Sequence, residues 1–400
     1  MKLNTNFRYL APASRVHAGV GALSQLYGEA KRAGLQRAFV ISSETLARTT
    51  DLADKVKDAL GDLYIGMYDG AKKESPIPMV MRGVEAVKAA NPDLIVALGG
   101  GSAVVTARAI TIIVGEGKTI EEMYTKHIPG QAPIVYRANK PKIANIQVNT
   151  TPTTGADRGG AAVYDTTPPH RKELYDPKTR PLAMIIDPEA LLTAPVSLYL
   201  DTSLSTFGGL IHALQSPEAS PLSYADCRQA LELSLTYLPQ LVAHPEDGEA
   251  RLQLFMCALM ANRASQSTYN IRGRNIATGL GTQLRYRYPH IGQGASGAVM
   301  LTTDLRLNKE IMAEGQARVA EVLGLRRPGM SDLEAAEFLG LYVETFLKSI
   351  GVATRLRELN VPKEDFRRLA EEDAAMPHFG EGLNRVTDVD KLVKILEMAY

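Results

Sequence analysis

The strongest constraint on the fold is a regular alternation of short apolar runs and helical patterns through the first half of the chain. Each run is rich in β-branched residues and has the length of a buried strand, and a helical segment separates it from the next. The predicted strands cover residues 37–41, 63–67, 93–98, 142–148 and 183–186. Strands that alternate with helices form a mostly parallel sheet covered on both faces, so this half is predicted to be a Rossmann-like α/β domain.

The pattern changes after Asp187 and Pro188, where long helical periods replace the strand-like runs. These periods cover residues 228–241, 248–265, 331–350 and 389–398. A chain of 400 residues is also longer than one compact core usually allows. We therefore predict an α/β domain at residues 1–190 and an all-helical domain at residues 191–400. A stretch rich in Pro and Lys, residues 125–142, is predicted to be an exposed loop.

Charge and composition argue against several classes of partner. The formal net charge is +1, which gives no electrostatic reason to expect nucleic acid or an anionic membrane surface. Cys227 and Cys257 are too few for a disulfide framework or a thiolate zinc site, and this favours a reducing compartment. No segment reaches the roughly 18 apolar residues of a membrane-spanning helix, and no signal peptide is recognisable. We therefore expect a cytoplasmic protein.

A glycine-rich turn follows the third predicted strand and opens a helix. It consists of Gly99, Gly100, Gly101 and Ser102, and is called the glycine turn below. Glycines let the backbone approach a diphosphate, and the first amide groups of the helix can donate to it. The alternative is an ordinary turn, since the pattern is not the G-x-G-x-x-G of Rossmann domains. We favour a phosphate-binding turn.

A threonine-rich loop, residues 149–157, follows the fourth predicted strand. Its hydroxyl and amide groups lie where ligands bind to open parallel sheets, beyond the carboxyl ends of the strands. They suit contacts with ribose and phosphate. The alternative is that the threonines only cap a helix.

These motifs together resemble the iron-containing (group III) alcohol dehydrogenases, which have the dehydroquinate synthase-like fold. The resemblance continues through residues 185–188 into the helical half and includes residues 210–215. It implies an NAD(P) cofactor whose diphosphate lies on the glycine turn. It further places the nicotinamide near Thr150, Thr151 and Thr154, and matches Lys172 to a lysine close to the nicotinamide ribose. Residues 1–190 would then be the dinucleotide-binding domain and residues 191–400 the substrate domain.

Several positions depart from the family pattern around the cofactor. Val105 and Arg108 replace an aspartate and a lysine that follow the glycine turn in the family, and Asn149 replaces a proline. Ser43 stands where many members have an aspartate that holds the adenosine ribose. A carboxylate would repel a 2′-phosphate and a serine would not, so NADP is slightly favoured over NAD.

The metal ligands of the family, one aspartate and three histidines, are mostly absent. His212 is retained, but Gly208, Leu284 and Gln293 stand at the other three positions. One imidazole with a weak amide donor does not retain a divalent ion, so we expect no metal. Two residues could rebuild a metal site in a different alignment, namely Asp201 and His290.

Without a metal, the charge at the reacting oxygen must be met by hydrogen-bond donors or cations. We predict His212 as the proton donor or relay, with Tyr286 and His290 as further candidates. The alternative for His212 is a packed helix residue. Arginines bind carboxylates in a bidentate manner, which points to an anionic substrate. The candidates are Arg158, Arg285 and Arg287, and the segment that contains Arg285 and Arg287 also contains Arg272 and Arg274. The alternative is that these arginines lie on exposed helix faces.

These observations predict a metal-independent, NAD(P)-dependent alcohol dehydrogenase or carbonyl reductase. Its substrate is expected to be a small, carboxylated alcohol or carbonyl compound, as for the maleylacetate reductases of the same superfamily. We expect a homodimer that binds neither nucleic acid nor membrane. Two alternatives remain, a lyase or decarboxylating enzyme on the same scaffold and a catalytically degenerate nucleotide-binding partner subunit.

Overall fold

The computed structural model describes residues 3–128, 131–167, 170–266, 278–375 and 386–400. The chain forms two compact units. The α/β unit contains Pro12–Pro195 and Glu246–Phe255, and the helical unit contains Met1–Ala11, Val196–Pro245 and Met256–Tyr400. An N-terminal segment, Met1–Ala11, thus belongs to the helical unit, and Glu246–Phe255 belongs to the α/β unit although it follows that unit in the chain.

Parallel strands form the main sheet of the α/β unit. They are β1 (Arg15–Ala18), β2 (Ala38–Ile41), β3 (Tyr64–Tyr68), β4 (Leu94–Gly99), β5 (Ala144–Asn149) and β8 (Ala183–Ile186). Their order across the sheet is β1-β8-β5-β4-β2-β3, and each neighbouring pair is parallel. A separate antiparallel pair consists of β6 (Gly160–Tyr164) and β7 (Arg171–Tyr175). All five predicted strands are present, whereas the sequence did not indicate β1, β6 or β7.

Helices cover both faces of this sheet, as the alternating pattern predicts. They are α1 (Gln25–Arg32), α2 (Glu44–Thr49), α3 (Leu52–Leu60), α4 (Ile77–Ala90), α5 (Gly101–Glu116), α6 (Ile120–Met123) and α7 (Pro188–Leu192). Alternate residues of β4 enter two different apolar clusters, because successive side chains of a strand point to opposite faces. Ile95 packs in the cluster that contains Ile110 of α5, and Val96 packs in the cluster that contains Leu26 of α1.

The described residues of the helical unit contain helices and no strand. The helices are α8 (Val196–Gln215), α9 (Pro221–Ala243), α10 (Gly248–Ala264), α11 (Thr278–Arg287), α12 (Gln293–Leu307), α13 (Ala313–Val322), α14 (Asp332–Ser349), α15 (Phe366–Ala375) and α16 (Val389–Ala399). The first part of α10, up to Phe255, belongs to the α/β unit. Their starts follow local chemistry, since the hydroxyl groups of Ser220 and Ser331 cap α9 and α14. Within the described part of the chain, no helix is long and apolar enough to cross a membrane.

Candidate functional site

The glycine turn connects β4 to α5 in a conformation that requires glycine. Gly99 has a φ of 137°, which side chains rarely tolerate. Gly100 is the N-cap of α5 and has no side chain to occupy the first amide groups of that helix. The N-terminus of α5 therefore presents backbone donors and the positive end of a helix dipole, which together suit a phosphate group.

The threonine-rich loop lies directly against the glycine turn. The amide of Thr150 donates to the carbonyl oxygen of Gly99 at 3.1 Å. A Cβ atom added at Gly100 would lie 2.7 Å from Thr151 Oγ1, and one added at Gly101 would lie 2.9 Å from Thr153 Oγ1. The two motifs that the sequence singled out thus form one site, and any side chain on either glycine would collide with a threonine hydroxyl.

Buried polar atoms without partners lie at the carboxyl ends of the neighbouring strands. Ser42 Oγ, Asn149 Oδ1 and Thr151 Oγ1 are all buried, and none has a hydrogen-bond partner among the described residues. Buried polar groups are normally paired, so three such atoms beside a helix N-terminus indicate a polar ligand. Two hydroxyl donors suit phosphate oxygens, and an amide oxygen suits a ribose hydroxyl. The residues present therefore fit a dinucleotide.

Ser43 lies at the carboxyl end of β2, as the alignment predicts, and has a structural role there. Its Oγ accepts a hydrogen bond from the amide of Leu46 at 3.3 Å and so caps α2. The hydroxyl hydrogen is not used by this bond and could donate to a phosphate oxygen. Glu44, the next residue, is paired with Arg48 at 2.8 Å.

Lys172 is engaged with two carboxylates. It lies on β7, is buried, and its amino group donates to Asp165 Oδ2 at 2.6 Å and also to Glu121. Burial lowers the pKa of Lys172, but the two acidic partners outweigh this effect and raise it overall. The hydrogen bond from Lys172 lowers the pKa of Asp165 to about 2. The expected position of Lys172 beside the nicotinamide ribose stays a prediction, and this acidic cluster argues against it.

The arginines predicted to bind substrate also make contacts within the protein. Arg158 Nε donates to the carbonyl oxygen of Thr154 at 2.8 Å, which braces the threonine-rich loop. Arg285 Nη2 lies 3.4 Å from Thr282 Oγ1 on the same helix. These contacts leave the substrate roles of Arg158 and Arg285 as predictions, whereas Arg272 and Arg274 lie outside the described residues.

Arg287 makes a fuller set of contacts that ties α11 to the residue before α15. Its Nε and Nη2 donate to the two carboxylate oxygens of Asp365 at 3.0 and 2.7 Å, and Tyr288 donates to the same carboxylate. This bidentate pair lowers the pKa of Asp365 and raises that of Arg287. A guanidinium held this way cannot turn to a substrate without breaking the pair, so we do not retain Arg287 as a substrate residue.

His212 is paired with a buried carboxylate in the helical unit. Its Nε2 lies 3.3 Å from Asp304 Oδ2, and Asp304 is 2% exposed. The other oxygen of Asp304 accepts a hydrogen bond from Asn308 Nδ2 at 2.6 Å. A carboxylate in this position orients the imidazole and can balance the charge that develops when the ring takes up a proton.

The two reserve candidates for proton transfer have different surroundings. Tyr286 is half-buried on α11. His290 is exposed after α11, with Nε2 3.2 Å from the carbonyl oxygen of Leu359. His290 thus has a backbone carbonyl where His212 has a buried carboxylate.

The positions that correspond to metal ligands in the family do not carry suitable donors. Gly208 faces an apolar neighbour, because a Cβ added there would lie 3.9 Å from Leu301 Cδ2. Leu284 is fully buried in an apolar cluster, and Gln293 is exposed at the start of α12. Iron or zinc would need anionic or imidazole ligands at these positions, so this donor set does not fit the metal.

The two side chains considered for a rebuilt metal site, Asp201 and His290, have other contacts. Asp201 Oδ1 accepts hydrogen bonds from the amides of Gly294 and Ala295, both at 2.9 Å, and thereby stabilises the N-terminus of α12. His290 lies beside a backbone carbonyl instead of other donors. Across the described ranges, no three His, Cys, Asp or Glu side chains are grouped as a metal site requires.

Sequence reasoning assigned no role to two residues that the structure makes prominent, Asp304 and Arg108. Each is a buried charged residue in a helical segment with few other charges. A buried charge needs a partner, so an isolated charge in such a segment is itself a signal. Here the partner of Asp304 is His212, and the partners of Arg108 are backbone carbonyls near the threonine-rich loop.

Comparison with known proteins identifies relatives along almost the whole chain. The sequence-family model of iron-containing alcohol dehydrogenases matches residues 13–188. The family model of their C-terminal domain matches residues 200–400. The NAD-dependent methanol dehydrogenase of Bacillus methanolicus is 28% identical in sequence, and the alignment covers 99% of this chain and 100% of that protein. Maleylacetate reductase 2 of Cupriavidus pinatubonensis is 25% identical in sequence, and the alignment covers 79% of this chain and 77% of that protein. The archaeal Red Sea brine pool alcohol dehydrogenase superposes with a TM-score of 0.86 at 20% identity, with full coverage of both chains.

Proposed function

Because the chain belongs to the iron-containing alcohol dehydrogenase family and is therefore an oxidoreductase, we propose that it works with NAD(P) and without a metal. Its substrate would be a small alcohol or carbonyl compound that carries a carboxylate. The observation that carries this proposal is the site at the carboxyl ends of β2, β4 and β5. There a glycine turn, two threonine hydroxyls and unpaired buried polar atoms lie together.

The cofactor proposal rests on what these groups can bind. The amides at the start of α5 would hold the diphosphate. The resemblance implies that Thr151 lies on the nicotinamide side, but its hydroxyl lies against Gly100 and would contact the diphosphate instead. Ser42 and Asn149 would contact ribose or phosphate. Relatives support the choice, since the methanol dehydrogenase is named NAD-dependent. Ser43 adds a preference for NADPH, because no carboxylate stands at that position to repel a 2′-phosphate.

The nicotinamide supplies hydride when the reduced cofactor is bound, so the protein has to supply a proton to the resulting alkoxide. We assign this proton to His212, which Asp304 orients and Asn308 supports. The reaction is balanced when the carbonyl carbon gains the hydride, the oxygen gains the proton, and the cofactor leaves oxidised. Hydrogen-bond donors take the place of the Lewis acid that metal-dependent relatives use.

The proposal of an anionic substrate rests on relatives and on arginines. Maleylacetate reductases are among the relatives, and maleylacetate carries carboxylate groups. Arg158 and Arg285 are the described arginines that we retain for carboxylate binding. A homodimer in solution, measured by light scattering, is part of the same proposal.

The test is a binding and turnover experiment on metal-stripped protein. After prolonged EDTA treatment, NADPH should bind with one site per chain by calorimetry. Small oxo acids should then be reduced, with no gain on adding Fe²⁺ or Zn²⁺. A panel of uncharged aldehydes and alcohols is the control for substrate charge. Activity that disappears with EDTA and returns with one iron or zinc per chain would refute the proposal that the enzyme works without a metal.

A further inference from the structure

A single arginine holds the end of the threonine-rich loop and the start of β6. Arg108 lies on α5, the helix that begins in the glycine turn, and is 3% exposed. Its Nη1 donates to the carbonyl oxygen of Gly160 at 2.7 Å. Its Nη2 donates to those of Gly155 at 2.8 Å and Ala156 at 3.1 Å. One guanidinium therefore holds three backbone acceptors.

Other side chains bind neighbouring carbonyls of the same loop. Gln147 donates to the carbonyl oxygen of Ala156 at 2.6 Å, and Arg180 donates to that of Asp157 at 2.7 Å. Ordered backbone needs partners for its carbonyl groups, and here side chains supply them in place of a strand or helix. The position of the loop consequently depends on which side chain α5 presents at residue 108.

We propose that Arg108 positions the threonine-rich loop for nucleotide binding and thereby sets the affinity for NAD(P)H. This inference rests on the proposed function. The Thr151 and Thr153 hydroxyls lie so close to Gly100 and Gly101 that an added Cβ atom would be 2.7 and 2.9 Å away. A small shift of the loop therefore moves these hydroxyls relative to the glycine turn. Thr151 Oγ1 is buried and lacks a partner among the described residues, which leaves it available to a bound phosphate.

The guanidinium group is the chemical reason why residue 108 is an arginine. The three acceptors are reached from two nitrogen atoms that lie apart in a rigid plane. An ammonium group concentrates its donors on one atom, so a lysine at this position would not reproduce the pattern. Arg108 is thus a positioning residue, which acts on the nucleotide through Thr151.

The test compares two buried arginines of the α/β unit that both hold backbone carbonyls. Arg251 Nη1 donates to the carbonyl oxygens of Leu191 and Ala194, both at 2.7 Å, and Arg251 is also 3% exposed. Arg108→Lys and Arg251→Lys therefore remove similar bonds. We expect Arg108→Lys to raise the Kd for NADPH roughly tenfold or more, because charge-assisted bonds are lost beside the site. Arg251→Lys should lower the melting temperature by a similar amount as Arg108→Lys but keep the Kd for NADPH within about twofold of the wild-type value.

Coupling to Thr151 separates positioning from general destabilisation. Thr151→Ala should weaken NADPH binding in the wild type and add little further weakening to Arg108→Lys. Equal Kd values for folded Arg108→Lys and wild type would overturn the inference alone. A folded wild type that binds neither NADPH nor NADH would overturn the proposed function and this inference with it. If Arg108→Lys does not fold, Arg108→Gln takes its place, and a wild-type Kd for NADPH in that folded variant would overturn the inference.

Discussion

Substitution of Gly100 by alanine tests the nucleotide site most directly, and the structure gives its magnitude. The new Cβ would lie 2.7 Å from Thr151 Oγ1, so one group must move by about 0.7 Å to reach an ordinary contact. The Cγ2 and Cβ atoms of Thr151 lie 3.4 and 3.6 Å from the new Cβ, which are ordinary contacts, so the hydroxyl is the group that clashes. Overpacking of this kind costs about 1–3 kcal/mol. If the loop moves to relieve it, NADPH binding weakens roughly tenfold to a hundredfold.

The assay is calorimetry with NADPH, together with thermal unfolding of each variant. Gly28→Ala is the matched control, because Gly28 is exposed in α1 of the same unit and a Cβ there meets nothing within 4 Å. It should leave Kd unchanged and stabilise the helix by up to about 1 kcal/mol. Adding Thr151→Ser to Gly100→Ala should recover part of the affinity, because the smaller side chain can turn away. Wild-type affinity in a folded Gly100→Ala or Gly100→Val variant would refute the phosphate site on the glycine turn.

Three further predictions concern the cofactor preference, proton transfer and pH. Ser43→Asp should shift preference from NADPH toward NADH by on the order of tenfold in Kd, and strict NADH preference of the wild type would contradict the role of Ser43. His212→Ala should lower kcat by ~10²–10⁴-fold, and Asp304→Asn should lower it less and add little to His212→Ala; fully additive losses would show that Asp304 does not act through His212. Burial, reinforced by the bond to Asp365, raises the pKa of Tyr288 from 10.0 to about 12. The stabilisation from its proton is therefore present below pH 10 and is lost as the pH rises toward about 12. Tyr288 is partly exposed, so solvent screening reduces this effect. The unfolding free energy of Tyr288→Phe should therefore fall by about 1 kcal/mol less than that of the wild type between pH 10 and about 12, and an unchanged pH profile would contradict it.

The candidate site shows which functional residues a sequence can reveal. The glycine turn was predictable because its conformation and its contact with the threonine hydroxyls both demand residues without side chains, as the φ of Gly99 illustrates. The threonine-rich loop was predictable as a polar segment after a strand. Its contact with the glycine turn depends on the register of β4 and β5, where Gly99 pairs with Asn149. Residue order alone does not specify such a pairing.

Charged side chains were harder to interpret, because their roles depend on partners far away in the chain. Arg287 could be predicted equally well as a substrate ligand or as a surface residue, and Asp365, 78 positions away, engages it instead. Lys142 was expected in an exposed loop, yet its amino group is buried between Glu116 and Asp176 at 2.5 and 3.0 Å. Nothing in the neighbouring sequence identifies these partners.

The sequence by itself determined the alternation of strands and helices, the change to an all-helical half and the glycine turn. These features arise from local periodicity and backbone preference, which nearby residues specify. Tertiary structure decided that Thr151 covers Gly100, that Asp304 accompanies His212 and that Arg108 holds the threonine-rich loop. Each of these contacts joins groups from different elements, and the burial of a charge or hydroxyl becomes favourable only when packing brings its partner within hydrogen-bonding distance.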